Sequence, residues 1–148
     1  MPDATPVVPS QPTSLPRNAL GASAANDDAL MFDLAPVSLW LEDFSGVRQL
    51  FDEWRAQGVT DLRAHFRIDP AHVAACSRRI RVIKVNRRTL SMFNAPSLDA
   101  LVAGLPRIFR DDMLKTHIEE LCQLWDGRTH FTSKTVNYTL DGRRLDVL

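Results

Sequence analysis

Residues 80–95, IRVIKVNRRTLSMFNA, join a short β-like run to an amphipathic helix through a single asparagine. Ile80, Val82, Ile83 and Val85 are β-branched, a shape that packs well on a pleated surface and loses side-chain freedom in a helix, so the run reads as a strand. Asn86 stops it. The asparagine side chain can accept a backbone N–H from the next turn, and Leu90 with Phe93 at i, i+3 gives the new helix a buried face.

A chain of 148 residues with 45% hydrophobic and 24% charged content suits one globular domain plus a tail. Eighteen basic and eighteen acidic residues cancel, which points away from nucleic acid or an anionic membrane as partner. The local exception is Arg78, Arg79, Arg81, Lys84, Arg87 and Arg88, which strand and helix spacing scatter in several directions as a solvated rim. Cys76 and Cys122 lie far apart on apolar helical faces and read as buried thiols rather than a disulfide or metal site. No apolar run approaches the roughly 20 residues of a membrane span. The N-terminus lacks the basic-then-apolar layout of a signal peptide, so a cytoplasmic location is expected.

Residues 1–28 hold five of the nine prolines among Ser, Thr, Ala and Asn, without apolar periodicity, and read as a disordered tail. Asp27 or Asp28 then caps a short helix over 29–34, ended by Pro36. Residues 37–44 alternate Val37, Leu39 and Leu41 against Trp40 and Phe44, the pattern of an inner strand with apolar material on both faces. Ser45 opens a helix with Val47, Leu50, Phe51 and Trp54 on one stripe, stopped by Gly58. Thr60 or Asp61 starts a turn carrying Leu62 and Phe66, and Asp69-Pro70 opens a helix whose inner face is Val73, Cys76 and Ile80.

Beyond residues 80–95, Ser97 caps a helix over 98–105 with Leu98, Leu101, Val102 and Leu105 as its stripe, broken by Pro106. Ile108 and Phe109 supply a buried turn. Asp111 or Asp112 begins the longest helix, where Leu114, Ile118, Leu121, Cys122 and Trp125 recur until Gly127. Residues 131–140 and 143–148 are β-like runs separated by Asp141-Gly142, a strong two-residue hairpin signal. That loop sets Leu140 opposite Arg143, Tyr138 opposite Leu145 and Val136 opposite Val147, with the apolar pairs on one face.

A strand ending in Val85-Asn86, a small helix over 89–95 and a further helical segment over 97–101 resemble the PAS sensor domain. The helix over 45–57, the Gly-Val-x-Asp turn over 58–61 and the Asp-Pro helix start resemble a helical insert found in a subset of bacterial PAS sensors. The order strand, strand, short helices, long helix, hairpin is similar to the family's over residues 29–148. The resemblance implies an α+β fold: a curved antiparallel sheet with helices on one face and a pocket between them for a small ligand. It also implies a sensory input module for signal transduction, feeding an output domain such as a histidine kinase, a diguanylate cyclase or a phosphodiesterase. None of that output machinery is in the chain. Such domains often form homodimers through the lead-in helix, so a PAS-like dimerisation and protein-interaction module without a ligand is the alternative. In the family the last strand occupies the sheet centre, and the sequence stops at Leu148 before supplying one. A truncated or partner-completed sheet is therefore expected, with strands 37–44 and 143–148 each presenting an open edge.

No nucleophile elbow, phosphate loop, dinucleotide fingerprint or zinc-protease motif occurs, so an enzyme is not expected. Asp111-Asp112 and Glu119-Glu120 look like paired acids, but helix neighbours point about 100° apart and cannot share a substrate. His65 and His72 fall on different elements, which leaves a zinc pair unsupported. The resemblance brings two cofactors into question. A flavin adduct needs a cysteine on a short helix near 110–113, where Arg110-Asp111-Asp112-Met113 has none. Haem needs an axial histidine on the long helix, and His117 borders that helix's apolar stripe rather than centring it. The ligand stays unknown, with Phe93, His117, Trp125 and Tyr138 as the expected pocket lining.

Overall fold

The computed structural model describes residues 17–148. The chain enters through α1 (Arg17–Leu34), β1 (Trp40–Asp43) and three helices, α2 (Ser45–Ala56), α3 (Leu62–Ile68) and α4 (Ala71–Ser77). It continues through β2 (Arg81–Val85), α5 (Arg87–Phe93), α6 (Leu98–Ala103), α7 (Leu105–Ile108) and α8 (Met113–Trp125). It closes with β3 (Thr135–Tyr138) and β4 (Arg144–Val147). Two antiparallel two-stranded sheets result, β1 with β2 and β3 with β4, so the fold is mixed helix and strand. No helix described is long and apolar enough to cross a membrane.

The junction at Asn86 is built as its sequence suggests. Its side-chain oxygen accepts the backbone N–H of Thr89 at 3.1 Å, capping α5, and also that of Leu39 at 3.1 Å across the sheet. Its amide donates to the carbonyl of Val37 at 2.8 Å, and its backbone N–H to that of Leu39 at 3.2 Å. The Thr89 hydroxyl lies 2.7 Å from that of Ser38, which in turn accepts the Trp40 indole N–H at 3.1 Å. Asn86 and Thr89 are fully buried, a position tolerable for polar groups only because each is bonded this completely.

β1 pairs Trp40 with Val85 and Leu41 with Lys84, then skips Ile83 to pair Glu42 with Val82. The skipped residue is a bulge, and it turns Val82 and Val85 to the same inner face as Trp40 and Glu42. Leu41 and Ile83 point outward and are half exposed. The expected inner strand over 37–44 is therefore shorter, and it is paired on one edge only among the described residues. Apolar alternation on both faces did not require two covered faces, because α1 lies against only part of the outer one.

That helix departs furthest from expectation. The sequence predicts irregular chain up to Asp28; residues 1–16 lie outside the described residues, and 17–28 are helical. Residues 21–31 are exposed, so no apolar stripe announced the helix. Its last turn is what docks. Asp33 pairs with the Arg87 guanidinium at 2.6 Å and accepts the Arg87 backbone N–H at 3.2 Å, while the Lys84 ammonium sits 4.6 Å over the Phe32 ring.

Two hydrophobic clusters hold the rest. The first joins α2, α3, α4 and α8 through Val47, Phe51, Trp54, Phe66, Cys76 and Leu121. Gly58 at φ +92° ends α2, Asp61 caps α3 by accepting from Ala64 N at 3.0 Å, and Asp69 accepts from Ala71 N at 2.9 Å to start α4. The second cluster joins the β1–β2 sheet, α5 to α7 and the hairpin through Val85, Phe93, Leu101 and Ile108, with Trp40 edge-on to Phe93 at 5.7 Å. Burying each of these larger apolar side chains contributes about 1.5–3 kcal/mol.

Three expectations for the second half are corrected. Leu114 and Val102, assigned to apolar stripes, are 55% and 41% exposed. Pro106 does not break the helix before it: α6 ends at Gly104, and Pro106 lies in the first turn of α7, where a missing N–H costs nothing. The hairpin register is shifted by one residue. Thr135 faces Val147, Asn137 faces Leu145 and Tyr138 faces Arg144, so Tyr138 and Leu145 lie on opposite faces and the loop is Leu140-Asp141-Gly142. The cause is Leu140, whose backbone N–H donates to Phe93 O at 3.0 Å and whose side chain fills the space left by Gly104, where a Cβ would lie 2.2 Å from Leu140 Cδ2. Thr139 closes the loop, its hydroxyl accepting Arg143 N at 2.8 Å and bonding to Asp141, with Gly142 at φ +92°.

Candidate functional site

The alternation Trp40, Glu42, Phe44, through β1 and the residue that follows it, sets one carboxylate between two aromatic residues, and Val82 stands opposite Glu42. On α8, Met113, His117 and Glu120 recur at i, i+4, i+7 and share one helix face. These two faces, with Ser77 at the end of α4 and with Leu105 and Phe109 around α7, enclose a cavity of about 430 Å³. Its walls are mostly apolar, with Phe44, Ile80, Val82, Leu105, Phe109 and Met113 contributing. This is the size and character of a small-molecule site. It lies at the seam of the two clusters, since Phe44 and Ile80 pack on the first while Val82, Leu105 and Phe109 pack on the second.

The polar end is ordered. The Ser77 hydroxyl lies 3.1 Å from the Val73 carbonyl and 2.9 Å from His117 Nε2, and it shares one hydrogen bond with the imidazole. His117 Nδ1 faces Glu120 at 3.6 Å, an ion pair only when the imidazole is protonated. Glu42 completes the group. Burial pushes its carboxyl above the ordinary range, the charge of Glu120 adds to the rise, and His117 partly offsets it. Arg78 and Arg110 stand at the exposed rim, with the Arg110 guanidinium 3.9 Å over the Tyr138 ring.

Of the four residues expected to line a pocket, His117 is on the cavity wall. Phe93 is 2% exposed in the second cluster, Trp125 packs edge-on to Phe51 at 5.1 Å beneath Arg55, and Tyr138 reaches the cavity only through Arg110. Glu42 and Ser77 carry no sequence expectation, and Glu120 enters the sequence reading only as one of the paired acids Glu119-Glu120. The available signal was a lone carboxylate alternating with Trp40 and Phe44, and an acid one turn beyond His117. Glu119 and Glu120 diverge as helix neighbours must, Glu119 turning to Arg63 and Gln123 and Glu120 to the cavity.

A second cluster of titratable groups, weighed in the sequence only as an unsupported zinc pair, is brought together by packing. His65 and His72, on different helices, stack with ring centroids 3.8 Å apart and 5° between planes, and Trp54 lies edge-on to both. Parallel rings direct their nitrogen lone pairs in parallel planes, which does not converge on one ion, and His72 Nδ1 is engaged by the His65 carbonyl at 3.0 Å. Among the described residues no three His, Cys, Asp or Glu side chains are placed to hold a metal ion. Cys76 and Cys122 are buried and unpaired, and burial pushes the Cys76 thiol up to about 12.

No family model, no curated protein and no solved structure matches the chain.

Proposed function

We propose that the chain is a PAS-like sensory input module that takes a small ligand into the cavity between β1–β2 and α7–α8 and passes its occupancy to an output domain such as a kinase or a diguanylate cyclase. The observation that carries this reading is the cavity itself: about 430 Å³ of mostly apolar space with one ordered polar end. The element order supports it, as does the mixture of helices with small antiparallel sheets. A cytoplasmic location suits an input module of this kind. The test is extraction of the purified chain followed by mass spectrometry and an absorbance scan, beside a Met113→Trp variant whose indole fills the cavity. A compound recovered from the wild type and lost from the variant supports the reading; recovery from neither, with no compound shifting the melting temperature, overturns it.

A second reading, a homodimerising interaction module, is favoured by one feature. Leu30, Met31 and Leu34 on α1, and Val37, Leu41 and Ile83 in and around the β1–β2 sheet, are large apolar side chains left exposed. Light scattering separates it from the first: a dimer that dissociates in Met31→Glu/Leu34→Glu supports it, and a monomer at every concentration removes it.

A further inference from the structure

Acid and base are distributed unevenly in the cavity. The carboxylates of Glu42 and Glu120 lie inside, with the Glu120 side chain 20% exposed, whereas both arginines stand at the exposed rim. Glu42 takes part in none of the ion pairs among the described residues. Among the described residues Glu120 has one ion-pair partner, His117, and that pairing is conditional on a protonated imidazole. Arg110 is already committed to the Tyr138 ring and lies 3.9 Å from Asp111. Arg78 carries its charge in water, where screening weakens it.

We propose that the cavity binds a small amphipathic organic cation, an amine on an aliphatic or single-ring body, with its ammonium between Glu42 and Glu120 and its body against Leu105, Phe109 and Met113. This rests on the cavity being a ligand site and adds the chemical class. Two carboxylates drawn into a poorly solvated space repel one another, and a cation placed between them removes that repulsion while its apolar body leaves water. An anionic ligand meets the opposite balance: its charge finds the arginines only at the mouth and faces the acids within. A neutral ligand gains the apolar contact alone.

The test is calorimetric titration of the 148-residue chain with three probes of one shape, phenethylamine, 2-phenylethanol and phenylacetate. Phenethylamine is expected to bind about ten-fold more tightly than 2-phenylethanol, the scale of a charge-assisted contact. Glu42→Gln and Glu120→Gln are each expected to remove most of that preference, with circular dichroism and a cooperative melt showing that the variants are folded. If the alcohol or phenylacetate binds as tightly as the amine, or if the amine is indifferent to both substitutions, the cationic class is wrong and the cavity remains a ligand site. If none of the three binds, and Met113→Trp behaves as the wild type, the cavity reading falls and this inference with it.

Discussion

Asn86 and Leu39 exchange two hydrogen bonds, one through the backbone N–H of Asn86 at 3.2 Å and one through its side-chain oxygen at 3.1 Å. The asparagine therefore acts as an additional rung beyond the last paired residues of β1 and β2, and it caps α5 with the same oxygen. Asn86→Ala removes the cap and leaves the buried N–H of Thr89 and the Val37 carbonyl without these partners. Each group left unpaired costs about 1–3 kcal/mol, so chemical denaturation is expected to show a loss of several kcal/mol. Asn86→Asp retains the cap but sets a carboxylate oxygen against the Val37 carbonyl, 2.8 Å from the present amide, and is also expected to destabilise.

The hairpin loop supplies a second expectation. Thr139 is fully buried and its hydroxyl accepts the Arg143 N–H at 2.8 Å. Thr139→Val keeps the shape and strands that donor, which should lower stability by about 1–2 kcal/mol. Gly142→Ala, at φ +92°, should cost about 1 kcal/mol through backbone strain. Thermal melts of the two variants check both, and an unchanged melt for Thr139→Val would contradict the three-residue loop.

Acid should loosen the first cluster. Burial holds the His65 imidazole below its usual 6.5, and the adjacent His72 adds to the depression. A histidine with a depressed folded pKa is neutral in the fold and protonated in the unfolded chain, so stability falls as pH drops below about 6.5 and continues falling to the folded value. The urea midpoint of the wild type is expected to fall between about pH 7.5 and 5.5, and to fall less in His65→Phe, which also removes a buried Nε2 without a hydrogen-bond partner.

Glu42 runs the other way. Its carboxyl is held above the ordinary range, so the unfolded chain ionises first as pH rises and the wild type loses stability until the folded value is passed. Glu42→Gln should therefore melt higher than the wild type near about pH 8 and match it more closely near about pH 4. A difference independent of pH would mean that packing, not charge, sets the effect.

Local chemistry was legible and long-range packing was not. The caps at Asn86, Asp61 and Ser97 form where the sequence puts a short acceptor ahead of an apolar run, because a cap needs only neighbours two or three residues away. The stripe Val47, Leu50, Phe51 and Trp54 was equally plain, and all four are buried. The hairpin register was not. Asp141-Gly142 signals a turn, but loop length was decided by Leu140 bonding to Phe93, 47 residues earlier. The same limit applies to the site. Phe93, Trp125 and Tyr138 carry aromatic rings that suit a core or a cavity equally, and only tertiary packing assigns them. The stacking of His65 on His72 depends on how two short helices meet around Trp54, which no spacing encodes.

The cavity at the seam stands between side chains of the two clusters, so each half is expected to exchange its amides with solvent on its own schedule. Filling the seam joins them. A bound body touching Ile80 on one side and Phe109 on the other makes separation of the halves cost the ligand as well, by the ordinary linkage of binding to opening. Hydrogen–deuterium exchange should then report two protection classes for the empty chain, α2–α4 apart from α5–α7, and a single slower class once the space is occupied. In this chain a ligand would register less as a change of shape than as a change in which parts come apart together.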